Sequence, residues 1–280
     1  MNPAILPAGF RVPKAVVVSG DGDLLVGCAI SRGGIQCFRR SGPEAVFSPE
    51  WSMPVGSVRG MVSVAGGKLY ATMRDGEIMD VGPDGSELGR WGTPLDLEGR
   101  RFAAPSGIAT DRDGAIYVVE SSGWNSGVEG GHRVQKFSRE REFLTAWGRK
   151  GRGEGELNVP TGIAVDQRGL VFVADSYNSR VQVFEPDGAF VAKWGLFGSG
   201  EGQLNCPQGI AFDPGGNVVL ADTYNNRIQV FTSDGRFVRT WNNAGRDDDA
   251  FWLPCGVAVD DQGTIYVADS MNDRIVAMEG

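Results

Sequence analysis

The chain has 280 residues, 41% hydrophobic and 22% charged, with a net charge of −8 and a single histidine. That balance is ordinary for a globular domain and excludes a disordered or collagen-like chain, although Gly is abundant at 42 residues. The acidic balance also disfavours general polyanion binding, because phosphate affinity comes mainly from Lys and Arg.

Residues 13–28 (PKAVVVSGDGDLLVGC), and residues 60–73 with 77–92, are degenerate copies of a unit that becomes explicit further along. A third copy starts near Pro105 and carries the insertion SSGWNSGVEGGH, Ser121 to His132. The fourth, from Pro160, spells the unit out. TGIAV is a short apolar strand, DQRG a polar turn, and LVFVAD a β-branched second strand. After the SYNS loop, RVQVF alternates as a third strand, EPDG turns, and AFVAKWG is the fourth. Copies five and six start near Pro207 and Pro254.

Arg133, Arg180, Arg227 and Arg274 are each 47 residues apart, as are Trp147, Trp194 and Trp241; Trp91 takes the same role in the preceding unit. Gly107, Gly162, Gly209 and Gly256 open the first strands at intervals of 55, 47 and 47. The surplus of 8 lies in the insertion, which separates Glu120 from Arg133 by 13 positions where Asp175 and Arg180 are 5 apart. Such a period predicts an all-β fold: a six-bladed β-propeller of four-stranded antiparallel blades around a central channel. The chain reads as one domain, with blades at about 11–53, 54–101, 102–153, 154–200, 201–247 and 248–280. The sixth unit stops at Gly280 after its third strand, so residues 1–10 are expected to supply the fourth and hide the open edge.

Units of the form PxGIAVDxxGxxxVADxxNxRVQxF followed by DGxFxxxWG resemble the NHL repeat family, closely in units four to six, clearly in unit three and weakly in the first two. The resemblance implies a six-bladed propeller, commonly a platform for protein interaction. Some such propellers bind RNA through a basic face, and related six-bladed propellers include metal-dependent lyases and lactonases. Fold alone does not choose among these.

Repetition separates scaffold from function. The pairs Asp175–Arg180, Asp222–Arg227 and Asp269–Arg274 recur from blade to blade, whereas a catalytic pair is needed once. They read as corner fixings. In unit one both partners are absent, with Cys28 and about Gly34 in their places, and in unit two Met73 and Glu77 stand there. The repeated Trp residues read as seals between blades. Trp124, in the insertion, has no counterpart and is a candidate for partner binding. His132 reads as a solvated loop residue, also a candidate only through its place in the insertion. One histidine supplies no multi-histidine zinc site, and neither a GxSxG elbow nor a GxxxxGK[ST] loop occurs. No metal or cofactor is therefore expected.

The residues preceding each first-strand Gly position, Lys14, Arg59, Ser106, Thr161, Gln208 and Cys255, are all different and should ring one channel mouth. Cys255 would be a nucleophile only with a base nearby. The loops between second and third strands, with Tyr177, Asn178, Tyr224, Asn225 and Met271, should crowd the same rim. The leading expectation is a non-enzymatic protein-binding platform or accessory subunit with a protein partner. The alternatives are a lyase, lactonase or hydrolase working at the channel mouth, and RNA binding. Four cysteines without metal or redox spacing suggest reduced thiols in the cytoplasm. No run is apolar enough to span a bilayer, and the first 20 residues lack signal-peptide organisation.

Overall fold

Each unit folds into the four-stranded antiparallel sheet that its alternation predicts, and six such sheets stand around one axis. The computed structural model describes residues 4–6, 9–29, 34–41, 46–92, 102–121, 131–241 and 250–280. Blade 1 comprises Pro13–Val18, Leu24–Cys28, Ile35–Ser41 and Val46–Met53, and blade 2 Val58–Val64, Lys68–Met73, Ile78–Val81 and Glu87–Trp91. Pro105–Thr110, Ile116–Glu120, Arg133–Phe137 and Phe143–Trp147 form blade 3. In blade 4 the strands are Gly162–Val165, Val171–Asp175, Arg180–Phe184 and Phe190–Trp194. Blade 5 has Pro207–Phe212, Val218–Asp222, Arg227–Phe231 and Phe237–Trp241. Blade 6 has Pro254–Val259, Thr264–Asp269 and Arg274–Glu279. Its outer strand is Ala4–Ile5, paired antiparallel with Ala4 opposite Ala277 and Ile5 opposite Val276.

Burial follows position in the blade. The second strands of blades 1, 3, 4 and 5 are buried at every residue, because a sheet stands on either side of them; they read as apolar runs rather than alternations. Fourth strands such as Phe143–Trp147 face solvent along most of their length. Six clusters of buried residues each lie across one junction. One joins Ala109, Tyr117 and Val119 of blade 3 to Ile163, Val173 and Phe184 of blade 4. Another joins Val16 and Val26 of blade 1 to Tyr266 and Ile275 of blade 6. The core is thus a ring of interfaces, and no blade holds a core of its own.

The six first strands touch in a closed circle. The glycines there answer a steric demand. A Cβ on Gly107 would come within 2.6 Å of the Thr161 carbonyl oxygen, and one on Gly256 within 2.7 Å of the Lys14 carbonyl oxygen. Gly60, Gly162 and Gly209 are tighter still against the carbonyls of Ser106, Gln208 and Cys255. Blade 1 carries Ala15 at this position, clustered with Val58 and Met61 of blade 2.

Tryptophans seal the outer edges. The Trp147 ring covers Gly188 in the last turn of the next blade, and Trp194 covers Gly235. Trp51 lies over Gly85 in the same way and donates from Nε1 to the Pro83 carbonyl at 3.0 Å, which makes it the closing Trp of blade 1. Where blade 3 lacks that glycine, Arg141 takes the positive φ (71°), lays its guanidinium over Trp91 and pairs with Asp80. Among the described residues, no helix is long and apolar enough to cross a membrane.

Candidate functional site at the channel mouth

The repeated Asp–Arg pairs organise the loops that join one blade to the next. Arg180 donates from Nε to Asp175 at 2.7 Å, and its two terminal nitrogens reach the carbonyls of Arg152, Gly153 and Glu156 at 2.8 Å. Asp175 also accepts from the Asn158 backbone N–H, Asn178 Nδ2 and Gln182 Nε2. Arg227 and Asp222 repeat the arrangement on the carbonyls of Ser199, Gly200 and Gln203. Burial pushes the Asp175 pKa up against these donors. Asn178 and Asn225 point into this network, their amide nitrogens donating to Gly151 and Gly198 carbonyls and to the two aspartates. Both amide nitrogens are thus engaged within the protein.

His132 is buried, only 5% exposed, rather than solvated. It immediately precedes Arg133, as Ser179, Asn226 and Asp273 precede Arg180, Arg227 and Arg274, and all four hold positive φ (67°, 52°, 52° and 51°). His132 Nδ1 accepts from the Val159 N–H at 2.8 Å, as Asn226 Oδ1 accepts from Leu253 and Asp273 Oδ1 from Val12. The three donors are themselves strained, at φ 49°. The shared feature is an acceptor that holds the next blade's strained entry. Burial, then the Lys150 charge, lower the His132 pKa. A depressed folded pKa stabilises the native state above the ordinary imidazole range, and that contribution is lost as pH falls through the lower value. His132→Asn should keep the acceptor and flatten the slope of melting temperature against pH below about 6.5, read in melts from pH 7 to 4.5.

At the axis, Lys14, Arg59, Ser106, Thr161, Gln208 and Cys255 line one cavity of about 100 Å³. The structure thus brings the six together. Lys14 Nζ lies 3.0 Å from Cys255 Sγ. Cys206 stands beside this pair, and burial, then the neighbouring Cys255, push its thiol up to about 11. The Tyr224 hydroxyl faces Cys206 and Tyr177, and its pKa is raised first by that thiol and then by burial. Thr161 Oγ1 and Ser176 Oγ are 2.7 Å apart, and Ser176 Oγ donates to the Pro207 carbonyl at 2.6 Å.

Around this mouth, blades 4 to 6 expose large apolar side chains. Tyr177, Tyr224 and Met271 cap the second-to-third-strand corners. Leu196 and Phe197, each 74% exposed, stand in the loop leading to blade 5, and Trp252 in the one leading to blade 6. The Met271 N–H bonds the Trp252 carbonyl, so those two are neighbours. Leu196, Phe197 and Trp252 escape sequence reading because they sit outside the repeated positions; the corresponding residues one blade earlier than Leu196 and Phe197 are Arg149 and Lys150. Trp124 lies outside the described residues.

The opposite mouth is wider, a funnel of about 1300 Å³ lined by the first turns of blades 1, 2, 3 and 6. Many of its charges are already matched: Arg40 reaches Asp260 and Gln262, Arg141 reaches Asp80, and the Tyr117 hydroxyl donates to Asp111. Among the described residues, no three His, Cys, Asp or Glu side chains are grouped so as to hold a metal ion.

The family pattern described as NHL repeat matches residues 157–184, 204–231 and 251–277, in blades 4 to 6. NHL repeat-containing protein 3 of Homo sapiens and its Mus musculus counterpart are each 32% identical over 92 residues, 33% of this chain. The matched stretch covers only 24% of those curated relatives. Among solved structures, one titled a putative gluconolactonase superposes with a TM-score of 0.73 at 15% identity, over 99% of this chain and 91% of its own. A Xanthomonas campestris gluconolactonase gives 0.71 at 15%, over 98% and 96%, and a streptogramin B lyase gives 0.66 at 12%, over 99% and 96%. At these identities the likeness concerns the fold.

Proposed function

The chain is an NHL-repeat protein with the six-bladed propeller fold, and we propose that it works as a rigid, non-enzymatic platform for a protein partner. The observation that carries this reading is the arc of exposed Tyr177, Leu196, Phe197, Tyr224, Trp252 and Met271 on one face of blades 4 to 6. Aromatic residues and Met are the types enriched in protein interfaces, and here they stand on loops that buried Asp–Arg networks hold in place. A platform fixed before binding loses little further conformational freedom on association. Four buried free thiols fit a reducing compartment, and we place the protein in the cytoplasm.

The test is recovery of partners from native extract, with the double variant Phe197→Asp, Trp252→Asp beside the parent. Both positions are exposed, so the fold should be kept. If each anchor contributes about 2 kcal/mol, their joint loss weakens binding roughly a thousandfold and the partner should vanish from the eluate. An unchanged partner set would overturn the reading.

A further inference from the structure

We infer that the channel mouth also binds a small oxyanion, a carboxylate or phosphate group, between Arg59, Arg74 and Lys14. The site goes beyond the platform reading and lies on blades 1 and 2, away from the apolar arc. Three observations carry it. First, strand register places Met73 opposite Val58 as Asp222 lies opposite Pro207, so Arg74 follows Met73 where Thr223 follows Asp222. Arg59 and Arg74 are therefore the blade-2 counterparts of Thr161 and Ser176. In blade 4 those positions hold two hydroxyls bonded to one another; in blade 2 they hold two arginines, the charge of Arg74 bearing on Arg59.

Second, Arg59 is half-buried, and among the described residues nothing accepts a hydrogen bond from its guanidinium and no carboxylate pairs with it. The same holds for the exposed side chain of Arg74. This contrasts with Arg180 and Arg227, each fastened to a carboxylate and three carbonyls. A half-buried cation without a partner is costly, and burial, then the Arg74 charge, lower the Arg59 pKa. Third, the next ring residue, Lys14, meets a cysteine sulfur rather than a carboxylate, and it shares with Arg59 the cavity of about 100 Å³. That volume equals about three water molecules, room for one compact anion. The Arg59 guanidinium and the Lys14 ammonium line that space, with the Arg74 charge bearing on Arg59 from outside it, and such groups are the donors that carboxylate and phosphate oxygens accept.

The experiment is thermal unfolding and calorimetric titration of the full chain with inorganic phosphate and, separately, with acetate, each against sodium chloride at equal ionic strength. At least one oxyanion should raise the melting temperature saturably beyond chloride, as a native-state ligand must. Which one does so tells a phosphate-bearing from a carboxylate-bearing ligand. Arg59→Gln should weaken binding by about tenfold or more, while melting no lower than the parent in anion-free buffer, because no internal partner is lost. Arg74→Gln, at an exposed position, should weaken binding similarly without touching the ring. Three results would each overturn the site: no saturable rise with either oxyanion, a rise that survives both substitutions, or Arg59→Gln melting well below the parent without anion. The aspartate substitutions at Phe197 and Trp252 should leave this titration unchanged, so the two proposals fail separately.

Discussion

Asp222→Ala is expected to lower the stability of the chain by about 3–5 kcal/mol, a drop in melting temperature of about 10 °C. The Asp222 carboxylate is fully buried and takes four donors: the Asn205 N–H at 2.7 Å, Asn225 Nδ2 at 2.8 Å, Arg227 Nε at 2.7 Å and Gln229 Nε2 at 3.0 Å. Removing it leaves a buried guanidinium on three carbonyls and loosens the loop from Gly195 to Asn205 that those carbonyls belong to. Blades 1 and 2 show the other solution. Cys28 and Met73 occupy the aspartate position there, both buried, with no arginine to satisfy. Losing both members of the pair together is tolerated where removing one alone is not. Urea unfolding followed by tryptophan fluorescence measures the change. A loss below about 1 kcal/mol would mean that the loop carbonyls hold Arg227 unaided.

Gly162→Val should lower stability by about 3 kcal/mol or more, without touching any polar group. Its Cβ would sit inside the contact radius of the Gln208 carbonyl oxygen, and the obstacle is backbone of a first strand packed on both sides. No rotamer change relieves it; blades 4 and 5 must separate along the axis. Gly20→Ala is the control, since a Cβ there meets nothing within 4 Å and no positive φ is involved. If Gly162→Val unfolds at the parent's urea midpoint, the close approach of first strands is not what sets the ring's diameter.

The features legible in the sequence are those that recur at a fixed spacing from blade to blade. The period of 47, the Asp–Arg corners, the first-strand glycines and the ring of six unlike residues all follow from register, and register is carried by spacing. Trp51 is hidden because blades 1 and 2 lack the regular interval, Trp51 and Trp91 being 40 positions apart. His132 reads as solvated because its position keeps a geometry, a positive φ shared with Ser179, Asn226 and Asp273 and an acceptor shared with the last two, that no common letter announces. Asn178 and Asn225 look like display residues because a short polar loop suggests exposure; their amides instead fill the arginine network. Exposure of Leu196, Phe197 and Trp252 depends on loop paths, which alternation does not encode. The nearness of Arg59 and Arg74 means nothing until two neighbouring strands are brought together.

The outer strand of blade 6 has a consequence for the order of events during synthesis. Each junction of blades 1 to 6 forms between segments that leave the ribosome in succession, so five of the six interfaces can assemble as the chain grows. The sixth cannot. Ala4 and Ile5 must wait for Val276 and Ala277, and the Leu6 N–H for the Ile275 carbonyl at 3.1 Å. Until then the nascent protein is an open crescent with the apolar flanks of blade 1 and of the newest blade both uncovered. Closure is one late, long-range event made by a strand of two residues together with the cluster between blades 1 and 6, and the interval before it is when the protein is most exposed to aggregation.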